Sequence, residues 1–197
     1  MEECDYLNEY RNSFRSHSLP RSFLKKDKVM ALEIERRFLV DTDKLLLPQE
    51  GNIITQGYLS SPGDPFTIRA RLSIGVYGRK LGFITLKNKI ANGINKEFEY
   101  AIPPEDAEEI IGSCGTKVVT KKRYYIDRFE VDIFKGELSG IVIAEIELKD
   151  ISEEFDKPEW LGREITYAKE LSNFSMALNP ELAIRIFNEL KSDKKTP

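Results

Sequence analysis

Seven short segments of this chain repeat one device, two residues of like charge separated by a single residue. They are Glu33 with Glu35, Arg69 with Arg71, Lys87 with Lys89, Glu97 with Glu99, Lys121 with Arg123, Glu130 with Asp132, and Glu145 with Glu147. Arg37 extends the first of them. The intervening residues include Ile34, Ala70, Phe98, Val131 and Ile146, so charged and apolar positions alternate. Successive strand residues point to opposite faces, which places each pair on one face with its apolar neighbour behind it. Any single pair is an ordinary solvated strand face. Seven together, each strand keeping mostly one sign, are not ordinary. Two carboxylates ~7 Å apart on one strand face repel and call for a cation between them. Paired arginines on a neighbouring strand call for a polyanion.

The count agrees with a shared site. Eight acids (Glu33, Glu35, Glu97, Glu99, Glu130, Asp132, Glu145, Glu147) against seven bases (Arg37, Arg69, Arg71, Lys87, Lys89, Lys121, Arg123) leave −1. Two divalent cations bring that to about +3, a field suited to a ligand with several negative charges, such as a triphosphate. A donor set made only of oxygen points to Mg²⁺ or Mn²⁺ rather than zinc.

Strands must position these residues. The pattern predicts eight of them, at 31–40, 53–60, 66–74, 80–89, 95–102, 118–126, 128–134 and 141–149. Turn signals at Pro62-Gly63-Asp64, Gly75 to Gly78, Asn92-Gly93 and Lys135-Gly136 separate several of them. A helix is predicted from Glu105 to Ile111, with acids in its first half where the helix dipole favours them. A second begins at Asn179 as N-cap with Pro180 at its first position, its apolar stripe being Leu182, Ile186, Phe187 and Leu190. The fold expected is mainly β, a closed antiparallel barrel whose charged face lines a tunnel and whose helices cover the outside. Residues 1–29 differ in composition, acids first and bases after, and read as a flexible appended tail. The barrel domain is expected over 30–191, with a polar tail over 192–197.

Composition removes several chemistries. His17 is the single histidine and lies in the N-terminal stretch, so serine–histidine, cysteine–histidine and His-rich zinc sites lack their parts. Cys4 and Cys114 make no disulfide framework, and a reducing cytoplasm is expected. The longest apolar run, Ile141 to Ala144, is far short of the ~20 residues that cross a membrane. A formal charge of −3 argues against a nucleic-acid partner, which asks for a basic surplus.

The ordered set of motifs resembles the CYTH superfamily, the triphosphate tunnel metalloenzymes. Glu33-Ile34-Glu35-Arg36-Arg37 resembles its opening ExExK signature, and Gln56-Gly57-Tyr58-Leu59 the second strand of its small bacterial members. Arg69-Ala70-Arg71, Thr85-Leu86-Lys87 and Glu97-Phe98-Glu99 follow in family order. Lys121-Lys122-Arg123-Tyr124, Val131-Asp132-Ile133-Phe134, Glu145-Ile146-Glu147 and Trp160-Leu161-Gly162-Arg163-Glu164-Ile165-Thr166 complete it. The match spans about 30 to 180. Arg37 departs from the pattern, which usually carries lysine there; arginine keeps the charge but does not shed a proton.

The resemblance implies an eight-stranded antiparallel barrel holding a triphosphate and a divalent metal, Mg²⁺ or Mn²⁺. It implies Glu33, Glu35, Glu145 and Glu147 as metal ligands, with Glu99 counted alongside them. Asp132 and Glu97 would support metal-bound waters and, with Lys121, form the catalytic group. Arg37, Arg69, Arg71, Lys87, Lys121 and Arg123 would hold phosphate oxygens. Lys89 and Glu130 share the face with a less specific match, and Tyr58, Tyr124 and Trp160 read as packing. The activity implied is inorganic triphosphatase, tripolyphosphate to pyrophosphate and phosphate. The alternatives are a thiamine or nucleoside triphosphatase, a class IV adenylate cyclase, and a non-catalytic polyphosphate or nucleotide sensor. The cyclase signature carries His-Phe ahead of ExExK, and no histidine stands nearer here than His17. The implied partner is a small triphosphate or polyphosphate, with no nucleic acid or membrane and a homodimer left open.

Overall fold

The computed structural model describes residues 32–193. The N-terminal tail over 1–29 and the last residues of the C-terminal tail lie outside the described residues. Eight antiparallel strands carry the alternation: β1 (Leu32–Val40), β2 (Asn52–Tyr58), β3 (Thr67–Ile74), β4 (Lys80–Ala91), β5 (Ile94–Ile102), β6 (Val118–Ile126), β7 (Phe129–Phe134) and β8 (Val142–Leu148). They pair in the order β5-β4-β3-β2-β6-β7-β8-β1, and β1 pairs back to β5 through Leu32 with Lys96 and Ile34 with Ile94. That last pairing closes the barrel. A ninth strand, β9 (Leu161–Glu164), adds to β1 beyond the end of β5. Four residues are too few for a periodic signal, which is why the sequence pattern does not announce it.

Helix α1 (Pro104–Gly112) lies against the outside of β2, β3 and β4. Its approach needs small residues beneath it: a Cβ on Gly57 would stand 2.8 Å from Cys114 Sγ and 3.0 Å from Ile111 Cα. Helices α2 (Asn173–Leu178) and α3 (Pro180–Ser192) follow near the C-terminus. Ser172 caps α2 by accepting from Ser175 N, and Asn179 caps α3 by accepting from Leu182 N at 3.0 Å. The start of α3 is as the sequence predicts, whereas α2 is a six-residue helix with no stripe of its own to read.

Two apolar clusters hold the barrel. Ile34, Phe38, Val131, Ala144 and Ile146 face outward from β1, β7 and β8 and are covered by Trp160 and Phe155. Phe129 meets Trp160 edge-on, ring centres 5.2 Å apart. The second cluster lies on the other face. Leu39, Val119, Phe134 and Ile143 continue the charged, inward-facing series of their strands, Tyr58 continues the uncharged series of β2, and together they pack on Leu171, Met176, Ala177 and Phe187. The barrel interior therefore changes from ionised to apolar at one end, and α2 and α3 close it there. Burying each such side chain contributes about 1.5–3 kcal/mol. The opposite end carries the exposed inward-parity residues Glu147 and Tyr125. No helix among the described residues is long and apolar enough to cross a membrane.

The β4–β5 turn docks on β1, where Glu35 N donates to Gly93 O at 2.7 Å. Gly93 sits at φ 73°, and a Cβ there would lie 2.6 Å from Glu35 O. Gly93→Ala is expected to cost about 1–3 kcal/mol of backbone strain, lowering the melting temperature by roughly 3–10 °C. An unchanged melting curve would show that the turn does not bear on β1 in solution.

Candidate active site

Register decides which charges meet. Lys87 stands opposite Glu97, Thr85 opposite Glu99, Arg123 opposite Asp132 and Arg37 opposite Glu145. These pairings join opposite signs or a donor to an acceptor. Two others do not: Glu35 is the direct partner of Glu147, and Glu130 the direct partner of Glu145. Like charges directly opposite one another on an antiparallel pair are destabilising, so β1, β7 and β8 build a concentrated acidic wall.

The basic strands face that wall. Lys87 Nζ lies 2.6 Å from Glu33 Oε2 and 3.2 Å from Glu97 Oε2, the latter outside hydrogen-bonding geometry. Arg71 donates to Glu99 Oε1 at 2.8 Å, and Thr85 Oγ1 to Glu99 Oε2 at 2.8 Å, so the Glu99 carboxylate is occupied on both oxygens. Arg123 spans three acids. Its Nε donates to Asp132 Oδ1 at 2.6 Å, its NH2 to Asp132 Oδ2 at 2.6 Å and to Glu145 Oε2 at 2.8 Å, and its NH1 to Glu130. Arg69 Nε and Arg71 Nε are buried without a hydrogen-bond partner, as is Gln56 Oε1. The two arginine N–H groups are free to donate to a phosphate oxygen.

The acids separate into two groups. Burial works against the Glu97 anion, but Lys87 and Arg69 outweigh it and hold the carboxyl below its ordinary value. Burial likewise opposes the Asp132 anion, and Arg123 with Lys121 reverses the balance. In the other group, burial wins. It raises Glu33, with Glu97 adding to the effect; it raises Glu35, with Glu33 adding; and it raises Glu145, with Glu35 adding. Glu147 reaches solvent at the exposed end, yet partial burial and then Glu130, Glu97 and Glu35 raise it too. Burial also opposes the Lys87 ammonium, but Glu33, Glu35 and Glu97 outweigh it and hold its pKa above the ordinary value, so this cation stays charged. Among the described residues no three acids converge into a ready-made metal cage. The fit of a divalent cation rests instead on donor chemistry. Glu33, Glu35, Glu145 and Glu147 are hard oxygen donors, adjacent in the barrel, and under-compensated by the basic residues around them.

Most of the expected site is brought together in one chamber, with three exceptions. Lys89 is exposed beyond the chamber, where burial, Lys169 and Arg37 lower its pKa. Without it the chamber holds eight acids and six bases, a balance of −2. Arg37 and Lys121 are inside but turned to the closed end. Arg37 NH1 donates to Leu171 O at 2.6 Å, and NH2 to Thr166 O at 3.2 Å and Ala168 O at 3.3 Å. Lys121, 1% exposed, donates to Asp132 Oδ2 and to Asn173 Oδ1 at 3.1 Å. Burial first, then Arg123, pulls Lys121 below the ordinary lysine value against the attraction of Asp132.

Three residues of the chamber escaped the charge pattern. Thr85 and Gln56 are uncharged, although Thr85 shares its face with Lys87 and Gln56 stands opposite Arg71. Tyr125 continues the face of Lys121 and Arg123 to the exposed end, where it pairs with Glu130. Tyr58 is buried where the chamber meets the apolar cluster, and burial lifts its hydroxyl to about 12.

The profile of the CYTH domain matches residues 31–177. An inorganic triphosphatase of Acetivibrio thermocellus is 38% identical over 157 residues, covering 77% of this chain and 96% of that protein. One from Nitrosomonas europaea is 33% identical over 159 residues, covering 75% and 97% respectively. A crystal structure of an inorganic triphosphatase matches with a TM-score of 0.53 at 32% identity, covering 75% of this chain and 95% of that one.

The raised carboxyls give the metal-free protein a pH dependence of definite sign. Glu33, Glu35 and Glu145 bind protons more readily when folded. Above their ordinary value of 4.5 their ionisation costs stability, and that cost is relieved as pH falls toward the raised values. The lowered Glu97 and Asp132 act in the opposite sense, but below ordinary values of 4.5 and 3.8. The metal-free protein should therefore melt higher at pH 5.5 than at pH 7.5, and saturating Mg²⁺ should narrow the difference. A flat or reversed profile in calorimetry would contradict this charge balance.

Proposed function

The chain belongs to the CYTH domain family, and from that premise we propose that it is an inorganic triphosphatase converting tripolyphosphate to pyrophosphate and phosphate. CYTH triphosphatases are metal-dependent, and we assign Mg²⁺ or Mn²⁺ to Glu33, Glu35, Glu145 and Glu147. When bound, the ion supplies Lewis-acid polarisation of phosphate oxygens and orientation of the attacking water. The protein's own cations do the rest. Arg69, Arg71, Lys87 and Arg123 hold the phosphate chain so that water approaches the terminal phosphorus in line with the departing oxygen. The P–O bond to pyrophosphate breaks, and the charge that develops is spread over these cations. Asp132 and Glu97 keep Arg123, Arg69 and Lys87 ionised and aimed, and Lys121 stands at the chamber floor.

The observation carrying this reading is the pair of like-charged cross-strand contacts, Glu35 with Glu147 and Glu130 with Glu145, facing donors on Arg69 and Arg71 that lack partners. A chamber so divided suits a metal ion on one wall and a polyanion on the other. A thiamine or nucleoside triphosphatase draws support from Tyr125, 46% exposed at the open end and able to stack on an organic group. We further propose that residues 30–191 suffice for activity, and that the protein works in the cytoplasm, consistent with Cys114 as a free thiol.

Phosphate release measured on tripolyphosphate, ATP, thiamine triphosphate and pyrophosphate, with Mg²⁺ and Mn²⁺ in parallel, tests the reading. Tripolyphosphate should exceed ATP in kcat/KM by about tenfold or more, roughly 1.4 kcal/mol of transition-state binding. Equal use of ATP, or cyclic AMP as the product, would overturn the assignment. Glu35→Gln and Glu147→Gln should each abolish metal-dependent turnover while triphosphate binding partly survives. Turnover retained at ordinary metal concentration would remove them from the metal site.

A further inference from the structure

Arg37 occupies the place where the ExExK signature has lysine, and its side chain is committed elsewhere than to the chamber. Three of its N–H groups point at the carbonyls of Thr166, Ala168 and Leu171, and Nε lies 3.6 Å from Glu35. Its backbone is tied to the same segment: Arg37 N donates to Thr166 Oγ1 at 3.0 Å, and Ile165 N to Arg37 O at 2.7 Å. Residues 165–171 are therefore stitched to one residue of β1 by five hydrogen bonds, three of them charge-assisted. A planar guanidinium can span several carbonyls at once, whereas an ammonium is a single point.

What this segment leads into matters for the chamber. Directly after it Ser172 caps α2, whose first residue is Asn173. Asn173 Oδ1 accepts from Lys121 Nζ, opposite the bond that the same ammonium makes to Asp132. Behind Asn173, Phe174 packs on Tyr58 with ring centres 5.3 Å apart, and Met176 and Ala177 fill the apolar cluster.

We propose that Arg37 is a positioning residue rather than a phosphate ligand. It latches residues 166–171 against β1, and through them fixes Asn173 so that Lys121 is held at the floor of the chamber. The proposal rests on the triphosphatase reading for its kinetic consequence, but the latch itself is a property of the substrate-free chain. Lysine at this position keeps the charge and, as the family's own residue, is compatible with the barrel, yet it cannot reach three carbonyls together. Asn173→Ala removes only the contact to Lys121 and leaves the latch intact.

Amide hydrogen exchange on the metal-free, substrate-free protein reads the latch directly. In Arg37→Lys, amides of 168–177 should exchange at least tenfold faster than in the parent chain, with the β2–β3 amides unchanged. In Asn173→Ala those amides should keep their protection. With tripolyphosphate, both variants should lose kcat by about fivefold or more while KM stays within twofold. Unchanged protection in Arg37→Lys overturns the latch. A tenfold rise in its KM overturns the assignment too, because it puts the guanidinium on substrate. Parent-like kcat in Asn173→Ala overturns the link to Lys121. If the parent chain releases no phosphate from tripolyphosphate, it is the triphosphatase reading that fails, and the exchange result still decides the latch.

Discussion

Closing eight strands into a cylinder puts every second side chain into one shared volume, and in this chain every strand but β2 brings ionised side chains to it. Each of these brings mostly one sign, so the order of strands around the barrel decides which charges become neighbours. The sequence β5-β4-β3 sets Glu97 and Glu99 beside Lys87, Thr85, Arg69 and Arg71 and largely neutralises them. The sequence β7-β8-β1 does the reverse over Glu130, Glu145, Glu147 and Glu35. Desolvation is expensive for an unpaired charge, so Glu97 is held ionised beside Lys87 and Arg69, whereas Glu35, Glu145 and Glu147 are pushed toward their protonated forms. One barrel thereby contains both a cation-deficient wall and an anion-deficient one.

The closed end follows from the same alternation. The inward-facing positions of β1, β6, β7 and β8 turn from charged to apolar at Leu39, Val119, Phe134 and Ile143, and Tyr58 of the uncharged β2 joins them. Those residues need cover, and α2 and α3 supply it with Met176, Ala177 and Phe187. The boundary between ionised chamber and apolar floor is where Arg37 and Lys121 sit, each bonded to the chain that forms the floor. A buried cation at such a boundary must find acceptors on one side or the other. Carbonyls and an amide oxygen serve that need, which binds the floor to the chamber electrostatically as well as by packing.

The sequence by itself determined the eight barrel strands and which charged residues share their inner face, Lys89 excepted. Strand alternation is a local property of backbone geometry, so Glu33, Arg69, Lys87 or Glu145 could be placed on one face from spacing alone. The N-cap at Asn179 was legible for the same reason, being set by a side chain and a backbone amide three residues apart. Tertiary structure alone decided which acid faces which, since register couples strands far apart along the chain: Glu35 to Glu147, Arg37 to Glu145. It alone turned Arg37 away from the chamber, through contacts 129 to 134 residues distant. Uncharged members such as Thr85 and Gln56, and the short elements β9 and α2, became visible only when the barrel closed, because their roles come from what surrounds them and not from any period of their own.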